Sequence, residues 1–252
     1  LIINCTTFPG YCDILQKDLE GLNYTVSYNP EFIAQGTIIK DQINADMVLI
    51  GEANTMVGDM IEGIYTDHCL SNPRICRMDR ISAEITKLSL NCFLTTKISF
   101  ANMIGDISNK VGGDTEKILQ AIGSDSRVGN KYLRWGYGYG GPCFPRDNRA
   151  LNIFASENNI DAQISRATDK MNELHLNYQL EEFVKNNPNK DKEIVFDYVT
   201  YKPESTLLEE SQQLKFIIKL GELGYNITVN ERESVLNELR GLGIEFKNTI
   251  IR

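Results

Sequence analysis

The sequence is short of histidine, has no C-x-x-C pair, no long apolar run and no excess of positive charge. Only two histidines occur, and none of the six cysteines sits in C-x-x-C spacing, which argues against a zinc centre or any other resident metal. No apolar stretch approaches the roughly 20 residues of a membrane-spanning helix. The net charge of -8 and pI near 5.0 oppose non-specific binding to nucleic acid or an anionic membrane, while leaving room for a local basic pocket. Repeats and low-complexity tracts are absent. A signal peptide would need a basic stretch ahead of its apolar run, and none precedes "LIIN". With no initiating methionine, the chain reads as a fragment, or as one whose beginning is missing.

What is present is ordinary for a soluble protein: 252 residues, 42% apolar and 24% charged, enough for two or three compact units. Cysteines inside apolar segments of a long chain read as reduced thiols of a cytoplasmic protein, not as a disulfide scaffold. Residues 1–4, 24–28, 47–51 and 74–78 read as strands, with helices over 11–20 and 54–66. That alternation predicts a parallel sheet with helices on its faces. Residues 79–111 carry no proline and read as one long helix, with Asp79 as N-cap and Gly112-Gly113 as its stop. Its length suits a domain connector or a dimer seam. A short helix follows over 114–123, then a Gly- and Tyr-rich loop to Pro145, then helix from Asp147 to about Lys185, broken near Asn158-Asn159. "NNPNKDKE" (186–193) is the clearest linker. Beyond it, strands at 194–199, 225–230 and near 244–246, with helices between, make a second small α/β unit. The division expected is 1–78, 79–190 and 191–252.

"GYGYGGPCFPRD" (136–147) fits G-x-G-x-x-G literally. A dinucleotide fingerprint needs a strand directly before it and a helix directly after. "GNKYLRWG" is a poor buried strand, and Pro142 and Pro145 delay a helix, so the dinucleotide reading fails here. The glycines make better sense around Cys143, letting backbone approach a ligand with no Cβ between. A helix N-terminus beside a cysteine stabilises the thiolate, which is a nucleophile's setting. On spacing alone a buried structural cysteine in a tight turn stands equally beside that reading. Lys87 and Asn91, at i and i+4 of the long helix, read from the helix alone as a solvated face.

Five segments resemble one family. "GYGYGGPCFPRDNRAL" is similar to the G-x-G-G-x-C-x-P-K-D-x-x-A-L motif of the UDP-glucose/GDP-mannose dehydrogenase family. "SYNPEFIAQGTIIKD" (27–41) resembles its N-P-E-F-x-x-E-G segment, and "TTFPG" (6–10) its S-T-V-P-x-G. "AEITKLSLNCFLTTKISFANMIGDI" (83–107) resembles its central helix, and "SDSRVGNKYL" (124–133) the stretch before the cysteine loop in the UDP-glucose branch. The resemblance implies a partial Rossmann-like N-terminal domain, a long central helix with a helical dimerisation domain, and a second Rossmann-like C-terminal domain. It implies NAD-dependent, two-step oxidation of the C6 alcohol of UDP-glucose to UDP-glucuronate. Alternatives are a UDP-N-acetylhexosamine substrate, or a truncated relative that binds nucleotide sugar without turnover.

In the family chemistry a cysteine, here Cys143, adds to the aldehyde intermediate to give a thiohemiacetal, then a thioester that water hydrolyses. The resemblance assigns Asp147 to holding or activating water, Lys87 and Asn91 to the developing oxyanion, and Glu31 with Thr7 to the hydrolytic water. It assigns the nucleotide sugar to Phe32, Arg127 (across a homodimer interface), Lys131, Tyr132, Arg134, Tyr139, Gly140 and Lys202. Tyr137 joins Tyr132 and Tyr139 as a ring that could pack on sugar or uracil. Cofactor contacts fall to Thr7, Gln35 and Arg146. The departures are specific. No strand–G-x-G-x-x-G–helix unit is present, so poor NAD binding and an exposed sheet edge are expected. "YKPESTLLEES" (201–211) has Leu207-Leu208 for the family's acidic pair and Glu209 for its arginine. Gln35 replaces a glutamate, and Arg146 a lysine.

Overall fold

The computed structural model describes residues 1–33, 36–203 and 205–250, the last four by backbone. The chain divides into two compact units: residues 1–91 with 150–161, and 92–149 with 162–252.

The first unit is built on a sheet of four strands, β1 (Ile2–Ile3), β2 (Ser27–Tyr28), β3 (Met47–Gly51) and β4 (Arg74–Met78), in that spatial order. Helix α1 (Tyr11–Asp18) connects β1 to β2, α2 (Ile38–Ile43) lies between β2 and β3, and α3 (Thr55–His68) between β3 and β4. β3 is apolar at every position, as a strand covered on both faces must be. Leu49 packs with Cys12, Val26 and Ala83 on one side, whereas Val48 and Ile50 pack with Ile61 of α3 on the other. β1 pairs with β2, and β3 with β4, in parallel. The β2–β3 pair is antiparallel, meeting at Tyr28 and Gly51, which corrects the expectation of a uniformly parallel sheet. Pro30 ends β2, and among the described residues the connection onward carries only the six-residue α2 rather than a full crossover helix of the kind that returns a chain in parallel.

Helix α4 (Arg80–Val111) runs unbroken for 32 residues. Asp79 caps it, accepting the Ser82 N–H at 2.9 Å. At its other end Gly112 adopts φ 78 and the Gly113 N–H returns to the Ser108 carbonyl at 2.8 Å, a Schellman closure that needs the left-handed residue glycine supplies. Its first turns belong to the first unit. There Glu84 is fully buried. Its carboxylate accepts the backbone N–H groups of Gly10 at 2.6 Å and Cys12 at 2.9 Å, and the Thr7 hydroxyl at 3.0 Å. Gly10 offers α1 no capping side chain, so a glutamate from another helix does that work.

The second unit continues with α4 from Cys92, then α5 (Thr115–Ser124), α6 (Phe144–Glu157) as far as Arg149, and α7 (Gln163–Asn186). α6 starts at Phe144, earlier than the expected Asp147. Pro145 lies in its first turn, where backbone N–H groups have no helical partner and the missing one costs nothing. β5 (Ile194–Phe196), α8 (Gln212–Glu222), β6 (Ile227–Glu231), α9 (Glu233–Gly241) and β7 (Lys247–Ile250) complete it. The sheet β5-β6-β7 is wholly parallel. Val229, Phe216, Ile217, Leu220 and Leu236 are among the residues of its core. The architecture is α/β with Rossmann-like character, as expected. β5 is shorter than the predicted 194–199 strand, and β7 begins beyond the predicted position.

Replacing Glu84 by alanine strands the buried Cys12 N–H, the half-buried Gly10 N–H and the buried Thr7 hydroxyl. The expected loss is about 3 kcal/mol, read as a lowered urea midpoint. An unchanged midpoint would remove Glu84 as the cap of α1.

Candidate functional site

Thr7, Glu31, Phe32, Lys87 and Asn91 lie in the first unit. Thr7 is buried and donates to Glu84. Lys87, one turn along α4 from Glu84, is also buried, so the solvated-face reading gives way. Its ammonium donates to the Glu31 carbonyl at 2.5 Å and stands 4.3 Å from the Phe32 ring centroid, a charge–quadrupole contact that offsets part of its desolvation. The Glu31 carboxylate is exposed and accepts from Gln42 at 3.0 Å. Thus α4 and the "NPEF" segment bring Glu31, Phe32 and Lys87 together, with Asn91 half-buried one turn further on. Gln35 lies outside the described residues.

Cys143, Arg146 and Asp147 lie in the second unit. Cys143 is exposed and immediately precedes α6. Its carbonyl accepts the Asp147 N–H at 2.8 Å, which closes the first turn. Asp147 has no exposed surface, and its carboxylate takes both Nε (2.9 Å) and a terminal nitrogen (2.8 Å) of Arg146. The buried Cys92 donates its thiol to the Asp147 carbonyl at 3.5 Å. Burial first, then the charges of Asp147 and Asp169, push the Cys92 thiol up to about 12. Two cysteines close in the fold therefore differ in kind: one is sealed and protonated, the other open to solvent at a helix start.

Gly136 is open on its Cα side, but Gly138 and Gly140 are not. A Cβ on Gly138 would fall 2.1 Å from Asn172 Oδ1, and one on Gly140 2.4 Å from the Glu210 carbonyl oxygen, so the close approach they permit is to protein. Tyr139 differs from the expected open ring: it is buried, and its phenol donates to Asp169. Tyr132 is exposed, with its ring edge-on to Phe144 at 6.1 Å. Tyr137 packs edge-on to Phe216 at 6.0 Å. Arg127 is exposed and paired with Asp125 at 2.7 Å, and Lys131 and Arg134 are exposed as well. Lys202 holds its ammonium 5.6 Å from the Tyr201 ring centroid. Glu209 presents its carbonyl to the Gly141 N–H at 3.0 Å, its side chain exposed. Among the described residues no group of three or more His, Cys, Asp or Glu could hold a metal, and no helix is long and apolar enough to cross a membrane.

Comparison with known proteins decides between family and coincidence. Residues 1–69 match the sequence profile of the UDP-glucose/GDP-mannose dehydrogenase family NAD binding domain, and residues 81–174 that of its central domain. The chain belongs to the UDP-glucose/GDP-mannose dehydrogenase family. A UDP-glucose 6-dehydrogenase of Pseudomonas aeruginosa is 39% identical over 147 residues, 58% of this chain and 32% of that protein. A putative UDP-glucose 6-dehydrogenase of Bacillus subtilis is 30% identical over 248 residues, 94% of this chain and 57% of that protein. The structure of a UDP-glucose dehydrogenase from Pyrobaculum islandicum superposes with a TM-score of 0.88 at 25% identity, covering 99% of this chain and 59% of that one. The chain therefore spans from about a third to three fifths of the length of these relatives.

Sequence reasoning missed Glu84 and the polar face of α7 as organising groups. Glu84 carried a signal, since it shares a helical face with Lys87 and Asn91. Asp169, Asn172 and His175 carried none beyond helical spacing. At pH 7–9, iodoacetamide should modify Cys143 and the exposed Cys5 while sparing Cys12 and Cys92, measured by peptide mass spectrometry. Labelling of Cys92 in the folded protein, or a Cys143 that resists, would contradict the arrangement.

Proposed function

We propose that this chain carries the reactive thiol and nucleotide-sugar contacts of a UDP-glucose 6-dehydrogenase-type oxidoreductase, acting through a covalent intermediate at Cys143. One observation carries the reading: the cysteine of the family motif is exposed at the start of α6, one turn before the wholly buried Asp147.

The residues described here do not make a pyrophosphate cradle. The N–H groups at the start of α1 are taken by the Glu84 carboxylate, and an anion there would be repelled. Thr7 is engaged by Glu84 and Arg146 by Asp147. NAD, the oxidant of the family, would supply the hydride acceptor. The chain's own residues do the remaining work. The Cys143 sulfur bonds to the C6 aldehyde carbon while its S–H bond breaks and the thiol proton passes to the carbonyl oxygen, giving a thiohemiacetal. Once that carbon is oxidised to the thioester, water attacks the acyl carbon, the thiol leaves, and a carboxylate is released. Family resemblance gives Asp147 and Glu31, with Thr7, to ordering and deprotonating water, and Lys87 and Asn91 to the oxyanion. Arg127, Lys131, Arg134 and Lys202 supply positive charge for the diphosphate.

Association as a homodimer belongs to the same reading. Phe93, Phe100, Ile107 and Val111 are exposed at 63%, 41%, 55% and 78% along α4. The first three repeat every seven residues, an apolar stripe suited to burial against a second copy. Sedimentation should show a dimer that Phe100→Glu with Ile107→Glu converts to monomer. A wild-type monomer, or a double variant that stays dimeric through this face, would contradict the seam.

Calorimetry tests the thiol. Wild type and Cys143→Ser should bind UDP-glucose alike, whereas the 6-aldehyde of UDP-glucose should favour wild type at least tenfold, about 1.4 kcal/mol. Equal affinity of both proteins for the aldehyde would remove Cys143 as nucleophile.

A further inference from the structure

Residues 135–139 form neither helix nor strand, yet their backbone is bonded at both ends by side chains. The Gly136 N–H donates to Asn102 Oδ1 at 3.0 Å. The Gly136 carbonyl faces His175 Nε2 at 2.6 Å and accepts from Gln179 at 3.1 Å. The Tyr139 N–H donates to Asn172 Oδ1 at 3.0 Å, and Asn172 Nδ2 donates back to the Tyr139 carbonyl at 2.9 Å. The Tyr139 phenol donates to Asp169, and Trp135 Nε1 to Asp106 at 3.0 Å. His175 Nδ1 lies 2.8 Å from the same Asp106 carboxylate. Asp169, Asn172, His175 and Gln179 recur every three or four residues, so they form one face of α7. Asn102 and Asp106 recur likewise on α4.

A loop backbone normally satisfies its polar groups with water. Here one amide side chain satisfies both polar groups of a single residue, as a neighbouring strand would. Asn172 is itself buried, so removing it leaves two buried backbone groups unpaired. The lack of a Cβ at Gly138 is what admits its oxygen. At the other end of the loop, a Cβ on Gly105 would lie 2.0 Å from Trp135 Cδ1, so α4 also leaves space for the loop.

We infer that Asn172 is a positioning residue: by gripping Tyr139 it fixes the 135–139 loop in the shape that receives the nucleotide sugar. The inference rests on the proposed function, in which family resemblance gives residues 134 to 140 to wrapping the nucleotide sugar. It assigns Asn172 no contact with substrate.

Trp135 is the only tryptophan, so intrinsic fluorescence reports this loop directly. The full chain is compared as wild type, Asn172→Ala, Asn172→Asp and Leu176→Ala. Leu176 sits one turn on in α7, in the C-terminal core, and serves as the destabilised control. The aspartate keeps an acceptor for the Tyr139 N–H but sets an oxygen against the Tyr139 carbonyl. Asn172→Ala and Asn172→Asp should each shift Trp135 emission to the red, speed exchange of the Tyr139 amide, and weaken UDP-glucose binding about tenfold. Leu176→Ala should lower Tm while leaving emission and affinity unchanged. Should Asn172→Ala not fold, Asn172→Ser, which retains a hydroxyl, gives the same reading. Unchanged emission and affinity in the Asn172 variants would overturn the proposal, as would equal losses in Leu176→Ala. If wild type binds no UDP-glucose, the functional reading fails and the substrate half of this inference falls with it. Amide exchange and emission without ligand still decide the grip on Tyr139, and unchanged values there overturn it.

Discussion

The constraint on which the rest depends is the helical register of α4, taken within each unit. Over 32 residues it has no proline, its ends are closed by Asp79 and Gly112, and each of its successive faces holds something down. Glu84 caps α1 and engages Thr7. Lys87 binds the backbone of Glu31. Cys92 reaches the Asp147 carbonyl. Asn102 and Asp106 fix the loop at Trp135 and Gly136. A helix propagates its register at 3.6 residues per turn, so within each unit its share of α4 sets the spacing of the contacts made there. Loops alone would not do so, because each would add its own conformational freedom.

Buried polar groups give this helix its specificity. Glu84 is a carboxylate removed from water, which is costly unless its oxygens are satisfied. Three donors satisfy them, two of which are N–H groups that the start of α1 would otherwise leave unpaired. Lys87 is treated likewise, by a carbonyl and an aromatic face. Hydrophobic packing holds the sheets together but would tolerate many small shifts. These polar contacts tolerate few, because a slip leaves a charge or an amide unpartnered in the interior.

Much of this was legible in the sequence. The strands β1 to β4 showed themselves as short apolar runs, and α4 as a long periodic segment with a cap and a glycine stop. The family was carried by five motifs in order. What escaped was set by tertiary contact. Nothing local in "SYNPEF" reveals that β2 meets β3 antiparallel. The start of α6 hid behind Pro145, which reads as a breaker yet costs nothing in a first turn. The loop glycines read as making room for a ligand, while Gly138 and Gly140 make room for Asn172 and Glu210. Tyr139 read as a free ring, and only the fold shows its phenol turned to Asp169. A residue's side-chain type is local information, whereas the partner it meets across 30 or so positions is not.

Native-state hydrogen exchange along α4 tests the central claim most directly. If α4 sets the register of the contacts within each unit, the amides from Glu84 to Asn91 open together as denaturant rises, and so do those from Asn102 to Asp106. Amides that open one by one within either segment, with no shared free energy, would show that the helix does not hold those contacts in register, and the account would be wrong.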